Sequence, residues 1–224
     1  MGVRVALLIL GLLACVDRES GAGVIRGVLR VPPPAAALPT SASAYPGRVG
    51  SLANAPPLVR GRAADAVVSI ERIPAAAEST LAQAGAAPPE LAQKDQAFAP
   101  RVLAIAVGTT VEFPNLDPIF HNVFSVSPIR RFDLGKYPRG QSRRVTFPKA
   151  GLVQVYCDIH ANMAGYIVVL PNHAFARPGE SGAFALPNLP KGEYQLDVWH
   201  PDFPEQRRKV QVPERGEVNV EISY

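Results

Sequence analysis

The chain has 224 residues, of which 47% are hydrophobic, and a formal net charge of +4 at pH 7. This length allows one large or two small domains with their own cores. The sequence contains no zinc-finger spacing, phosphate-binding loop or nucleic-acid motif, which excludes the common nucleic-acid-binding classes, so we expect no nucleic-acid partner. The mild positive charge favours acidic partners or a membrane surface.

The first residues have the features of a targeting segment. Residues 1–14 are interpreted as a signal peptide, because Arg4 precedes an apolar run that is too short to span a bilayer. The run ends at Cys15 in a sequence that resembles a bacterial lipobox, which implies lipid attachment at Cys15 and a membrane anchor. Residues 15–23 would then form a lipidated tether. In a bacterium with two membranes, the resemblance to lipoproteins implies the outer membrane, because Val16 stands where an Asp would retain the protein on the inner membrane. The alternative is an ordinary secretory signal with an incidental cysteine.

The next part of the chain alternates between strand patterns and Pro/Ala-rich sequence. Gly23–Val31 and Asp65–Glu71 have the alternation of β-strands. Between them, residues 32–64 form a Pro/Ala-rich insert with too little apolar sequence to build a core. Residues 75–89 are predicted to be a linker, in which Ala75–Gln83 favours one or two helical turns.

Residues 90–170 have the pattern of a β-sandwich, with short strand-like runs separated by Gly, Pro and Asn. Val153, Val155 and Cys157 share one face of a predicted strand, because side chains alternate along a strand. The thiol of Cys157 is therefore expected to point into the core. The predicted strands are Arg101–Val107, Thr109–Phe113, Arg143–Phe147, Leu152–Cys157 and Gly165–Leu170.

Four side chains in this region have the chemistry of metal ligands. Cys157, His160 and Met163 occur in one Cys-x2-His-x2-Met stretch, and His121 lies upstream. One thiolate, two imidazoles and one thioether are the donor set of a mononuclear (type 1) blue-copper site. We expect one copper per chain, bound strongly by the thiolate and the two imidazoles and weakly by the thioether. Such a site moves one electron and does no bond chemistry, so we predict neither an enzyme nor a small-molecule substrate.

Other interpretations of these residues are weaker. Taken singly, a buried cysteine or methionine is more often a packing residue than a ligand. With Cys15 assigned to lipid, a single cysteine remains, so we expect no disulfide and no binuclear copper centre. Asn122 is predicted to hold the ligand loops together by hydrogen bonds, and the alternative is a turn residue. His173 is interpreted as a solvated linker residue, and His200 as a structural one.

These motifs resemble those of the cupredoxins, in particular plastocyanin and amicyanin. The resemblance implies a Greek-key β-barrel over residues 90–170, the ligand set given above and an electron-transfer role. The short spacing between His160 and Met163 is similar to the amicyanin loop. The matching segments are Val107–Phe113, Asn115-x-Asp117, His121-Asn-Val, Tyr156–His160 and Met163-x-Gly.

The rest of the chain carries a second resemblance. The layout is similar to methylamine-utilization or plastocyanin-like lipoproteins, which pair a cupredoxin with a carboxypeptidase-regulatory, transthyretin-like β-sandwich. We therefore predict that residues 24–74 and 171–224 fold together as that sandwich, around an inserted cupredoxin domain. The predicted C-terminal strands are Gly182–Leu186, Tyr194–Trp199, Gln206–Val212 and Glu217–Ser223.

The expected function is electron transfer outside the cytoplasm, on the periplasmic face of the outer membrane or at the cell surface. The partner would be a redox protein, and residues 130–149, with seven Arg or Lys and one Asp, would steer an acidic one. The alternative for this stretch is a solvated loop. His160, with Ala161, Ala164 and Phe120 around it, would be the electron port. Copper delivery through the same ligands, or a scaffold lipoprotein with a vestigial site, are alternative functions.

Overall fold

The computed structural model describes residues 22–32, 61–83 and 87–224. These residues form seventeen strands, one 3₁₀ helix and one α-helix, so the predicted all-β fold class is confirmed. The signal peptide, Cys15 and most of the tether and of the Pro/Ala-rich insert lie outside the described residues. No helix within the described ranges is long and apolar enough to cross a membrane.

The elements follow one another in this order. The 3₁₀ helix is Ala63–Asp65, and α1 is Ala75–Ala82. The strands before residue 130 are β1 (Ala22–Arg30), β2 (Val67–Ile70), β3 (Ala92–Lys94), β4 (Ala97–Ala99), β5 (Val102–Ala106), β6 (Thr110–Pro114) and β7 (His121–Ser125). They are followed by β8 (Phe132–Tyr137), β9 (Ser142–Thr146), β10 (Gly151–Tyr156), β11 (Ala164–Leu170), β12 (Phe175–Ala176), β13 (Ala183–Ala185), β14 (Leu189–Pro190), β15 (Gly192–Trp199), β16 (Gln206–Val212) and β17 (Gly216–Ser223).

The strands from the two ends of the described chain pair with one another. β1 is antiparallel to β13 and β14 and parallel to β17, and a second sheet has the order β12-β2-β15-β16. Ile25 and Leu29 of β1 pack in one buried cluster with Leu196 of β15 and Ile222 of β17. The two sheets therefore enclose a common core, and the segments on either side of residues 87–170 meet in it.

The intervening residues build a second β-sandwich. Its larger sheet has the order β5-β11-β10-β7-β8, in which β5 and β11 are parallel, and β6-β9 and β3-β4 form two-stranded pairs. Its core includes Phe113, Tyr137, Phe147 and Ile167, all essentially inaccessible to solvent. Along β10 the buried residues alternate with more exposed ones, and the buried Cys157 follows at its end. The exact domain limits given above stay a prediction.

The basic stretch 130–149 consists mainly of β-strand, so its interpretation as a loop is wrong. It contains the whole of β8 and β9, and β8 pairs with β7. Phe132 and Leu134 pack against the core, and Tyr137 is fully buried, which holds the charged strand in place. Sequence reasoning missed β7 and β8, because Gly135, the charged residues and a register shift in β7 disrupt the alternation.

The two sandwiches contact each other directly. Val67 of β2 packs with Val102 of β5 and with Val168 and Leu170 of β11. Beside this cluster, the guanidinium of Arg101 binds two carboxylates that belong to the segments of the first sandwich. The two units therefore share an apolar contact and an ion-pair cluster.

Candidate metal centre

Neighbouring strands bring the predicted ligands to one end of the larger sheet. His121 is the first residue of β7, and Cys157 follows the last residue of β10. These two strands are paired through Tyr156 and Phe124, so their ends lie side by side. Met163 directly precedes β11, which pairs with β10, and His160 lies in the loop between them. The hydrogen-bonded sheet thus converts separated sequence positions into one cluster.

The donor atoms of three predicted ligands converge. The Sγ atom of Cys157 lies 3.9 Å from Nδ1 of His121 and 3.5 Å from Nδ1 of His160. The ligand atoms of all three residues lie within 4.8 Å of one another, which is a suitable arrangement for one metal ion. His121 and Cys157 are buried, and His160 is half-buried. Within the described ranges, this is the one such group of three candidate donors.

The loop that carries His160 is closed at its base by backbone hydrogen bonds. The N–H group of Cys157 donates to the carbonyl of Met163 at 3.2 Å, and the N–H group of Met163 donates to the carbonyl of His160 at 2.9 Å. The Met163 side chain is buried in the same core cluster as Cys157. Two paired strands and these hydrogen bonds therefore hold the loop between them.

Asn122 lies beside the sulfur and uses its backbone for that contact. Its N–H group points at Sγ of Cys157 at 3.5 Å. Its side-chain amide donates to Oδ1 of Asp133 at 2.7 Å, so it connects β7 to β8. The side chain thus holds a strand next to the site, whereas the backbone N–H faces the sulfur.

Burial and mutual contacts shift the pKa values of the three clustered side chains. Burial alone would raise the pKa of Cys157, but hydrogen bonding with His121 and with backbone N–H groups lowers it overall. Burial would lower the pKa of His121, yet the neighbouring Cys157 and Asp117 raise it. The pKa of His160 is lowered by burial and by the charge of His121. A thiolate and a neutral imidazole are the forms that bind a metal ion.

A carboxylate that the sequence analysis gave no role binds the far side of His121. Asp117 Oδ2 lies 2.7 Å from Nε2 of His121. Because Nδ1 faces the sulfur, the proton of a neutral His121 belongs on Nε2, which donates to Asp117. Burial would raise the pKa of Asp117, but backbone N–H donors and His121 lower it overall. The signals in the sequence are its position four residues before His121 and its place in the matching Asn115-x-Asp117 segment.

The remaining histidines lie outside this cluster. His173 is partly exposed, in line with its interpretation as a solvated residue, and its Nδ1 also contacts Glu78 of α1 at 2.6 Å. His200 is buried and has a structural role, as expected. Its Nε2 lies 3.0 Å from the carbonyl of Arg62, and its Nδ1 accepts from the N–H group of Asp202.

Large apolar side chains are exposed in the segments that carry the ligands. Phe120, directly before His121, is 56% exposed, and Ile159, directly before His160, is 40% exposed. Ile119 is also exposed. The segments around both imidazoles therefore present apolar surface to solvent.

Comparison with solved structures finds similarity to copper proteins. A copper-containing nitrite reductase from Thermus scotoductus SA-01 is 32% identical with a TM-score of 0.37, over 41% of this chain and 26% of that chain. A Cu(I) form of an amicyanin mutant is 22% identical with a TM-score of 0.36, over 47% of this chain and 98% of that chain. A purple cupredoxin from Nitrosopumilus maritimus is 30% identical with a TM-score of 0.31, over 32% of this chain and 80% of that chain.

The present chain thus spans about a quarter of the nitrite reductase chain. No protein-family model matches it, and no curated protein matches it either.

Proposed function

We propose that this chain is a cupredoxin that holds one copper ion and carries one electron at a time. Cys157, His121 and His160 would be the strong ligands, and Met163 a weak one. The observation that carries the proposal is the convergence of one sulfur and two imidazole nitrogens within 4.8 Å at the end of a β-sandwich. The protein is proposed to be a carrier and not an enzyme.

The donor set fits copper better than the other common metals. Copper in electron-transfer proteins is bound by a thiolate, two imidazoles and a thioether. Here the thiolate, one imidazole and the thioether come from one loop, and the second imidazole comes from β7. When bound, the ion would supply a reversible change between Cu(II) and Cu(I). The surrounding residues exclude water, because His121, Cys157 and Met163 are buried. Paired strands and a hydrogen-bonded loop limit the movement of the ligands when the charge changes.

His160 is the proposed point of electron entry and exit. It is the half-buried member of the three-residue cluster, so it lies nearest to solvent. Exposed Phe120 and Ile159 supply apolar contact area next to it, with Ala161 and Ala164 in the same loop region. A small apolar patch suits a weak and transient encounter between redox proteins.

The partner is proposed to be a redox protein with an acidic surface. The basic stretch 130–149 carries exposed basic side chains, which would attract such a partner at a distance. Two of its cations are already paired, since Lys136 lies 3.5 Å from Asp158 and Arg144 binds Glu112. The other basic side chains of this stretch would therefore provide the attraction. A rate of electron exchange with an acidic redox protein that does not change with ionic strength would contradict this proposal.

We propose a lipid anchor at Cys15, which places the protein outside the cytoplasm, on the periplasmic face of the outer membrane or at the cell surface. The support is the sequence of the first fifteen residues. Labelling with a radioactive fatty acid tests it, because Cys15→Ser would lose both the label and the membrane association. Retention of the label in this variant would contradict the anchor.

The same ligands also suit a copper-delivery protein. The specific observation is the partial exposure of His160, which gives an exchanging ion a route to solvent. An intensely coloured Cu(II) form that is reduced and reoxidised reversibly supports the electron carrier. Colourless Cu(I) binding with ready release to a competing protein supports delivery.

The decisive experiment is a copper titration of the full chain. We expect one equivalent of Cu(II) to produce an intense visible band and a type 1 EPR spectrum in the wild type. Cys157→Ser would lose the band, because the band requires the thiolate. His173→Gln is the matched control, since it removes a histidine outside the cluster and would keep the spectrum. A wild-type protein that binds no copper, or binds it without the band, would overturn the proposal.

A further inference from the structure

We propose that Asp117 is a positioning residue that orients His121 towards the metal and, through its charge, favours Cu(II) over Cu(I). This inference rests on the proposed copper site. Its basis is the 2.7 Å contact between Oδ2 of Asp117 and Nε2 of His121. The His121 side chain is fully buried and that of Asp117 is 8% exposed, so the contact is shielded from bulk solvent.

The contact determines which nitrogen of His121 is free to bind the ion. A carboxylate accepts a hydrogen bond, so it keeps the ring proton on Nε2 and leaves the lone pair on Nδ1. Nδ1 is the atom that faces Sγ of Cys157, at 3.9 Å. Asp117 therefore selects both the tautomer and the orientation of the ring. Partners of this kind also increase the donor strength of the imidazole.

The carboxylate is itself held in place by a strained turn. Asp95 and Gln96 form the two-residue connection between β3 and β4, and both have positive φ angles, of 56° and 57°. Their N–H groups donate to Asp117 at 2.6 and 2.9 Å. Two non-glycine residues in this region cost on the order of 1 kcal/mol each or more, and hydrogen bonds to a carboxylate offset such a cost.

A second set of hydrogen bonds fixes the backbone of this segment. The N–H group of Asp117 donates to Oδ1 of Asn115 at 2.9 Å. The amide of Asn115 donates in turn to the carbonyls of Ile119 and Tyr137, both at 2.9 Å. Asn115 is fully buried. With its backbone fixed in this way, the carboxylate cannot turn away from His121 without also breaking its hydrogen bonds from Asp95 and Gln96.

The charge of Asp117 has a direct consequence for the two oxidation states. A negative charge behind the imidazole stabilises a doubly charged ion more than a singly charged one. The effect is large in a buried site, since solvent screens it little. Removal of the charge would thus weaken Cu(II) binding more than Cu(I) binding, and the reduction potential would rise.

The test compares Asp117→Asn with the wild type as full chains. Asparagine keeps the shape and one oxygen acceptor, and removes the charge. We expect the affinity for Cu(II) to fall by about 10- to 100-fold, with a smaller loss for Cu(I). Each tenfold change in the ratio of the two affinities corresponds to about 59 mV of potential. The affinities are measured by competition with chelators, and the potential by spectroelectrochemistry.

Asp158→Asn is the matched control. It removes the same charge from the ligand loop, but its side chain is exposed and contacts Lys136. We expect its potential to shift less than that of Asp117→Asn, because solvent screens the exposed carboxylate of Asp158. Asp117→Glu keeps the charge, and its potential should lie nearer to the wild-type value than that of Asp117→Asn.

A measurement on the wild type keeps the inference testable if Asp117→Asn does not fold. In the Cu(I)-loaded, ¹⁵N-labelled protein, NMR should show a slowly exchanging Nε2 proton on His121. Absence of that proton, or an unchanged affinity ratio in a folded Asp117→Asn variant, would overturn the inference. Either result in a protein that still binds copper with the expected band would leave the proposed function intact. A wild type without copper binding would instead remove the proposed function.

Discussion

Replacement of Arg101 by Met should strongly destabilise the protein, because this residue joins the two sandwiches. Nη1 of Arg101 lies 3.0 Å from Oδ2 of Asp65 and 2.8 Å from Oδ2 of Asp202, and Nη2 lies 3.0 Å from Oδ1 of Asp202. The guanidinium also lies 5.6 Å from the centre of the Tyr166 ring. Methionine has a similar length and can fill the apolar part of the space, but it provides neither the charge nor the donors.

The size of the effect follows from the burial of the cluster. The Arg101 side chain is only 13% exposed, and those of Asp65 and Asp202 are 3% and 14% exposed. Loss of the cation leaves two carboxylates without their partner in a region that water barely reaches. Breaking a buried ion pair in this way typically costs about 3–5 kcal/mol. That is a large part of the roughly 5–15 kcal/mol that stabilises a typical domain.

The single tryptophan provides the assay. Trp199 packs against Tyr166 at the junction, with ring centres 5.6 Å apart, so its fluorescence reports on this surface. In urea at pH 7, we expect the free energy of unfolding of metal-free Arg101→Met to fall by about 3–5 kcal/mol. With a slope of about 2 kcal/mol/M, the midpoint would drop by roughly 2 M. Circular dichroism would follow the strands in parallel.

The control is an ion pair of the same type at the surface. Arg30 binds Glu221, and both side chains are mostly exposed. We expect Arg30→Met to cost less than about 1 kcal/mol, because solvent screens exposed pairs. If Arg101→Met cost no more than this control, the buried cluster would contribute little and the reasoning would be refuted.

Three further predictions concern single groups. Burial would raise the pKa of Asp202, but its contacts lower it overall, so its contribution to stability is present above about pH 4 and is lost as the pH falls through its folded-state value. The difference in unfolding free energy between wild type and Asp202→Asn should therefore shrink from pH 7 to pH 3, and a constant difference would contradict this. Tyr137→Phe should cost about 1–3 kcal/mol in urea unfolding, since the buried amide of Gln93 loses an acceptor and the carbonyl of Phe113 loses the closer of its two side-chain donors, at 2.8 Å against 3.3 Å for Gln93; a neutral effect would contradict this. Gly27→Ala should cost about 1–3 kcal/mol and lower the melting temperature, because the new Cβ would lie 2.4 Å from the Phe184 ring and 2.5 Å from the backbone oxygen of Val220; an unchanged melting temperature would contradict this.

The strand pattern was predictable where one face of a strand is clearly apolar. β10 and β15 were recognised in this way, since their buried and exposed residues alternate. β8 was missed, because charged residues and a glycine lie between its core-facing residues and mask the apolar pattern. Its pairing with β7 and the packing of Tyr137 hold it in the sheet. The contact of His173 with Glu78 was also missed, since the two residues are distant in sequence.

The sequence by itself determined the chemistry of the candidate site. Cys157, His160 and Met163 are close along the chain, so their spacing alone confines three donors to one loop between two strands. Only the tertiary structure showed which group contacts Nε2 of His121. That group is the carboxylate of Asp117, which the β3–β4 turn, from a separate part of the chain, holds in place. The tertiary structure also decided that Arg101 joins the two sandwiches. Local spacing constrains neighbours along the chain, whereas contacts between distant segments depend on how the sheets pack.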